Sequence, residues 1–349
     1  MKRRKRSKNL TIILLPLLLA VLVVSGCPRR ARDVEQVGPA ERIVIRFSHV
    51  VSEDTPKGLA ARKFAELVHE RTNGHVEVQV YPSSQLYMDG EEVDALINNH
   101  VQMIAPATAK MTEYFPELFL FDLPFLFEDY DQVHHFIDSQ SGQKLLQGLH
   151  GHGMLPLTMW DNGFKVMTAN RPLRKPEDFR GLRFRIMPSL VLDAQFVQLG
   201  AQVTDIPFSD VYAALERRLV DAAENTPSNI WTKRFYLVQD HLTVSNHGYL
   251  SYLVLTNGEF WNSLPENIRA ILSETMEEVT AWQRQIAQEK NAHDLDLIIQ
   301  SGQIDVYKLS DSEKEAWKKA LHSIYNQFLP QIGQQLLAEA LALNNCHTK

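Results

Sequence analysis

Hydrophobic and polar positions along the chain predict an α/β protein. Ile43–His49 is rich in β-branched and aromatic residues and reads as a strand. Pro56–Arg71 carries Ala60, Phe64, Leu67, Val68 and Arg71 at helical spacing, with Gly74 as a stop. His75–Tyr81 puts Val76, Val78 and Val80 on one face of a second strand. Strand, helix and strand within about 38 residues make a parallel βαβ unit. A helix at Glu91–Asn98 and a strand at Val101–Ala105 repeat the pattern. A second α/β region opens near Gly151, with strands at Met154–Trp160, Leu182–Met187 and Leu250–Thr256. Helices at Leu190–Leu199 and Ser209–Arg218 and a short segment at Gln202–Ile206 lie among them.

A long helical pattern follows. Ser263-Leu264-Pro265-Glu266 reads as a capping box with proline at the first helical position. Ile268, Ile271, Leu272, Met276, Val279, Trp282 and Ile286 continue the apolar stripe, and the pattern runs on to Ile299. Such a helix spans about 50 Å, more than one small domain. Glu274, Glu277 and Glu278 read as its solvated face. Two more helices, near Asp311–Leu329 and Gln331–Leu343, close the chain. The expected division is a first lobe of 42–162 plus about 251–285, and a second of 163–250 plus the C-terminal helices. The helix over about 263–299 spans both.

The first eight residues hold six basic side chains, and a fourteen-residue apolar run, Thr11–Val24, follows. That run is short for a transmembrane helix, which needs about 20 residues, and has the flanks of a secretion signal. It ends in Val24-Ser25-Gly26-Cys27, which resembles a bacterial lipobox. Residues 1–26 are therefore expected to be a lipoprotein signal peptide, with Cys27 lipidated as the mature N-terminus and 27–41 a linker. The one other cysteine, Cys346, then has no internal partner, so the exported domain must rely on its core. The whole chain is formally −6; without residues 1–26 it keeps 30 basic against 42 acidic residues, a formal −12. That balance argues against nucleic acid as a partner. A bound anion would have to be held by local positive groups.

In open α/β sheets, ligands bind beyond the carboxyl ends of the strands. Lys57 follows the first strand, Lys110 the Val101 strand, and Lys165 the Trp160 strand. In Leu182–Ile186 the apolar residues share one face and the arginines the other. Arg185 lies nearer the carboxyl end and is the better cleft candidate; Arg183 reads as a solvated or structural arginine. Four cations at cleft positions of an acidic protein point to a small anion. Arginine suits a carboxylate, because its planar fork bonds both oxygens.

These segments resemble the solute-binding component of TRAP transporters of the DctP, or C4-dicarboxylate-binding, type. The resemblance runs from about Ile43 to Leu329. It rests on Phe47-Ser48-His49-Val50-Val51 with Thr55-Pro56-Lys57-Gly58, Tyr81–Leu86, Phe121-Asp122-Leu123-Pro124-Phe125-Leu126-Phe127, Trp160–Phe164, Gly181–Arg185, Pro207–Tyr212, Glu224–Asn229 and Ser245–Tyr249. It implies two α/β lobes that close like a clamshell, with crossing strands and a long helix between them. It further implies that Arg185 pairs with a ligand carboxylate, that Phe208 packs on its carbon skeleton, and that Asn225 and Lys165 line the site. Trp160 and Tyr249, inside the same motifs, complete the expected set. Lys57 or Lys110 would meet a second carboxylate. The implied ligand is malate, succinate or fumarate, with a sugar acid or aromatic acid as the alternative. The implied partners are the permease subunits, with a monomeric binding protein held at the membrane outside the cytoplasm; a ligand-sensing partner of a receptor is the alternative. Two departures bear on the site: Ala222-Ala223 stands where many relatives have Gly-Gln, and Lys165 where arginine is frequent.

An exported hydrolase is the competing class. The chain has no Gly-x-Ser-x-Gly, His-Glu-x-x-His or Gly-x-x-x-x-Gly-Lys motif. His134-His135 and His150-Gly151-His152 lack further ligands at metal spacing. No catalytic group, cofactor or metal is expected. Phe115, Phe119, Phe121, Phe125 and Phe127 read as lobe core.

Overall fold

The computed structural model describes residues 42–344. The expected leader, Cys27 and its linker, and Cys346, lie outside the described residues. The first run of elements is β1 (Ile43–Ser48), α1 (Pro56–Arg71), β2 (Val76–Tyr81), α2 (Glu91–Ile97), β3 (Met103–Ile104), α3 (Tyr130–Asp138), α4 (Gln140–Gly148) and β4 (Met154–Phe164). Then come β5 (Val166–Ala169), β6 (Arg183–Ile186), α5 (Leu190–Gln198), β7 (Gln202–Asp205), α6 (Val211–Glu216), β8 (Ala222–Asn225), α7 (Pro227–Thr232) and β9 (His241–Val244). The last are β10 (Tyr249–Asn257), α8 (Gly258–Ser263), α9 (Glu266–Ser301), β11 (Asp305–Lys308), α10 (Asp311–Ile332) and α11 (Gln334–Asn344).

Two sheets form two lobes. The first is ordered β2-β1-β3-β10-β4, with β1 parallel to β2 and β3, and β10 antiparallel to β3 and β4. The second is ordered β11-β9-β5-β8-β6-β7, with β6 parallel to β7 and β8, and β5 antiparallel to β8 and β9. α1 shows how local sequence sets these pieces. Thr55 caps it by accepting the Gly58 N–H, Pro56 fills its first turn, and Ala60, Ala61, Phe64 and Val68 turn inward. The loop from β1 crosses so close that a Cβ on Gly58 would lie 2.5 Å from the Ser52 carbonyl. This fixes Lys57 beside the carboxyl end of β1.

Two strand connections pass between the lobes. β4 leads through Lys165 alone into β5, and β9 leads through Ser245–Gly248 into β10. The two connections lie side by side: the Lys165 N–H donates to the Gly248 carbonyl at 2.8 Å. The register of β10 on β4 slips between Leu250 and Ser251, which pair with Gly163 and Asp161. Asn162 is the extra residue of that bulge.

α9 is the third crossing. Its 36 residues span about 54 Å. It packs on α1 and β4 along the first lobe and on α7 of the second. Past Val279 most of the buried positions are polar. Thr280 accepts from the Trp160 indole at 3.0 Å, Gln283 bonds the Asp161 backbone at both ends, and Asn291 accepts from Ser228 N–H while donating to the Asn162 carbonyl. Glu274, Glu277 and Glu278 are exposed.

Two expectations need correction. The capping box at Ser263 does not form: Ser263 ends α8, its hydroxyl donates to the Phe260 carbonyl, and α9 starts without a side-chain cap. The C-terminal helices do not belong to the second lobe alone. Trp317 of α10 meets Phe179 at 5.1 Å, while Phe328, three turns on, meets Phe119 of the first lobe at 5.3 Å. α11 packs on α3. The apolar stripe of α10 is long enough to serve both lobes.

Gly163 sits at the β4 crossing with φ +136°, and a Cβ there would lie 2.6 Å from Tyr130 Oη and 2.8 Å from Asn291 Nδ2. Gly163→Ala is expected to lower stability by about 2–4 kcal/mol through strain and overpacking. Urea unfolding measures this, and an unchanged midpoint would contradict it.

Candidate functional site

Three of the four expected cations converge between the lobes. Lys57 is fully buried; its ammonium donates to the Ala105 carbonyl at 2.6 Å and lies 3.7 Å from the centre of the Tyr252 ring. Lys110, on the 3₁₀ turn Thr108–Met111 after β3, is ion-paired with Asp89. Arg185, on β6, is 1 % exposed. Its Nε and Nη2 both donate to the Ile206 carbonyl, at 2.9 and 2.7 Å, while buried Nη1 has no partner among the described residues. Arg183, two residues back, instead forks onto Asp221 at a more exposed position.

The three cations share one cavity with Phe208 and Asn225, of about 20 Å³, the space of a single water. Phe208 contributes its ring, and its N–H donates across the lobes to Asp89 at 3.1 Å. Asn225 accepts from the Thr226 N–H and from Asn229, which leaves Nδ2 as the end of its amide without a partner among the described residues. Sequence reasoning missed four groups here. Tyr252 and Leu250 share a face of β10 by strand alternation and both line the cavity. Asn229 lies inside a motif already singled out, and Asp89, the partner of Lys110, lies in a loop with no periodic signal.

The remaining expected residues lie elsewhere. Lys165 is 1 % exposed and pairs with Glu224 at 2.6 Å. His247 donates from Nε2 to the other Glu224 oxygen at 2.7 Å, and its Nδ1 accepts from Ser245. This buried network ties the β4–β5 junction, β8 and the β9–β10 connection together, and Lys165 does not line the cavity. Trp160 is core: it tilts against Phe47 at 5.9 Å and spends its N–H on Thr280. Tyr249 packs edge-on against Phe164 at 5.2 Å and Tyr130 at 6.0 Å. His134 bonds Asp161 at 2.5 Å, and among the described residues no three His, Cys, Asp or Glu side chains gather as a metal site.

The cavity, both strand crossings and all of α9 fall within residues 47–331, which match the family described as "Bacterial extracellular solute-binding protein, family 7". The chain belongs to this family. It is 43% identical to the C4-dicarboxylate-binding protein DctB of Bacillus subtilis over 91% of each chain. It is 45% identical to the C4-dicarboxylate-binding periplasmic protein DctP of Rhodobacter capsulatus, over 87% of this chain and 91% of the relative. It overlays with a TM-score of 0.85 on a TRAP periplasmic solute-binding protein of Shewanella oneidensis crystallised with succinate, at 43% identity over 87% of this chain and 99% of that one. Family 7 proteins bind solutes and are not enzymes.

In this family 7 protein, burial acts on all three cations of the cavity. It lowers the Arg185 pKa to about 10, so the guanidinium stays charged at neutral pH. It pulls the Lys110 ammonium well down, with Arg185 and Lys57 adding to the effect and Asp205 opposing it. Burial alone would raise the Glu224 carboxyl, but Lys165 and His247 outweigh it and hold the group at about 2. Burial lowers His247, which stays neutral.

Glu224→Ala would strand the buried Lys165 and is expected to cost about 3–5 kcal/mol. Because the folded-state pKa of Glu224 is depressed, its ionic contribution is present above the ordinary value of about 4.3. It is lost as pH falls toward about 2. Denaturant unfolding of both proteins should therefore show the difference shrinking below about pH 4. A constant difference would contradict the pairing.

Proposed function

We propose that this protein captures a C4-dicarboxylate, of the succinate and malate type, and delivers it to the membrane permease of a TRAP transporter. One arrangement supports this most: a buried guanidinium whose Nη1 has no partner among the described residues lies in the same small cavity as two buried lysines and an asparagine amide. Arg185 meets one carboxylate through Nη1, with Asn225 beside it. Lys57 meets the other from the opposite lobe. Phe208 and Leu250 cover the carbon chain, which is short enough for both ends to be held. The relatives named for C4-dicarboxylates and the neighbour holding succinate agree with that choice. A four-carbon acid needs more than the space of one water, so the lobes part to admit it and close around it. Bonds between charged groups contribute about 1.5–3 kcal/mol each, so two or three of them overcome the cost of association and hold the acid at micromolar concentration or below.

Calorimetric titration with succinate, malate and fumarate tests the assignment. Arg185→Ala is expected to weaken binding at least about a hundredfold, and Arg183→Ala to leave it within about threefold. Equal binding by wild type and Arg185→Ala would overturn the site.

The same reading places the mature protein outside the cytoplasm, tethered through a lipid on Cys27. Tethering raises the effective concentration of a binding protein at its permease. Cys27→Ser is expected to release the protein into the soluble fraction with ligand affinity unchanged. Membrane retention of that variant would contradict the anchor.

A further inference from the structure

Lys110 borders two spaces. It lines the ligand cavity with Lys57 and Arg185, and it lines a wider cavity of about 830 Å³ between the same two lobes. The wider cavity carries acidic side chains from both sides: Asp89, Glu92 and Glu113 from the first lobe, Asp193 and Asp205 from the second. Among the described residues, Lys110 is its one basic lining residue.

Lys110 is already engaged. Its ammonium is paired with Asp89, and the two side chains are only 8 % and 4 % exposed. The pair is formed by Asp89 Oδ1, while Oδ2 accepts the Phe208 N–H from the facing lobe at 3.1 Å. The same Phe208 lines the ligand cavity, whereas Asp89 lines only the wider one. Asp89 thus sets a carboxylate of the protein's own on the third cation, and both lobes hold it there.

Room is not what limits the ligand on this side, because the wider cavity adjoins Lys110. Charge limits it. A third ligand carboxylate that reached Lys110 would have to displace Asp89, leaving that buried carboxylate without its cation. A ligand arm that passed Lys110 would meet a wall of carboxylates, including Asp205, which lies in register with Ile186, the residue after Arg185. Like charges brought together away from bulk water repel strongly.

We propose that Asp89 sets the substrate class of this site: by occupying Lys110 it limits the ligand to two carboxylates, one for Arg185 and one for Lys57, and excludes tricarboxylates built on the same four-carbon skeleton. Asp89 is a positioning residue, since it acts through Lys110 and Phe208. The specificity is of the kind that comes from an element set against the wrong ligand.

The inference rests on the dicarboxylate reading above, and one experiment separates the two. Succinate and tricarballylate, which is the succinate skeleton with one added carboxymethyl arm, are titrated calorimetrically at about pH 8, where the carboxylates of both are ionised. The readout is the ratio of the two dissociation constants. In the wild type, tricarballylate should bind at least about a hundredfold more weakly than succinate. D89N keeps an oxygen for the Phe208 N–H and frees Lys110, so the ratio should fall at least about tenfold. In D89N/K110M the freed cation is gone, and the ratio should return to within about threefold of the wild type. Loss of a merely structural contact would weaken both acids alike, so an unchanged ratio in D89N overturns the inference. A ratio that stays low in D89N/K110M overturns the route through Lys110. Equal binding of the two acids by the wild type overturns the inference and leaves the dicarboxylate reading standing. Absence of succinate binding by the wild type overturns both. Where D89N folds poorly, the crystal structure of the wild-type succinate complex decides: Lys110 should remain on Asp89, and a succinate oxygen bonded to Lys110 in its place overturns the inference.

Discussion

A cation taken out of water has to have its donors met, and three of them meet in one place here. Lys57 is met by a backbone carbonyl and an aromatic face, Lys110 by Asp89, and two nitrogens of Arg185 by the Ile206 carbonyl. Apart from the Tyr252 ring, which lies within β10, those partners sit in the loop beyond a strand. The βαβ order delivers them there: it brings carboxyl ends of strands from two sheets to face one another. Arg185 is the case where the demand is left unfinished, because Nη1 is buried without a bond to any of the described residues. Asp89 links this electrostatics to the lobes. It binds Lys110 of its own lobe and the Phe208 N–H of the other, so partnering one cation also fastens the closed cleft.

The structure between the lobes is built differently from the core of either. The lobes are filled by aliphatic and aromatic side chains, whereas the crossing is a set of polar contacts. Asn162, the bulge residue of β4, donates to the Tyr252 hydroxyl at 2.9 Å and accepts from the Ser228 hydroxyl of α7 at 3.2 Å. Tyr252 is also the ring under Lys57, so the bulge is two contacts from the ligand cavity. Gln283 and Asn291 hold the backbone of the same strand to α9. Directional bonds of this kind hold the crossing strands to α9, beside an apolar core that runs from the first lobe to the β6–α5 side of the second. A hinge needs two states that differ by only a few kcal/mol.

Periodicity carried the fold where elements were long or regular. α1 has the bounds its spacing implied, and the 36-residue helix was visible in its apolar stripe. The elements that escaped notice were short and lacked a pattern of their own. β8 is Ala222–Asn225, four buried residues with two polar ones among them, which reads as a loop until both neighbouring strands are in place. α7 begins with Pro227 and lasts six residues. In the site, Arg185 was separable from Arg183 because alternation and distance along the strand are both properties of local sequence. Lys165 looked equivalent to the other lysines for the same reason. Its fate was decided by Glu224 and His247, 59 and 82 residues away in the chain.

The most direct test of this arrangement is a crystal structure of the succinate complex. One carboxylate oxygen should lie within about 3 Å of Arg185 Nη1, with Nε and Nη2 still on the Ile206 carbonyl and the second carboxylate beside the Lys57 ammonium. Succinate bound with Nη1 unengaged, or held by Lys165 in place of its bond to Glu224, would contradict it.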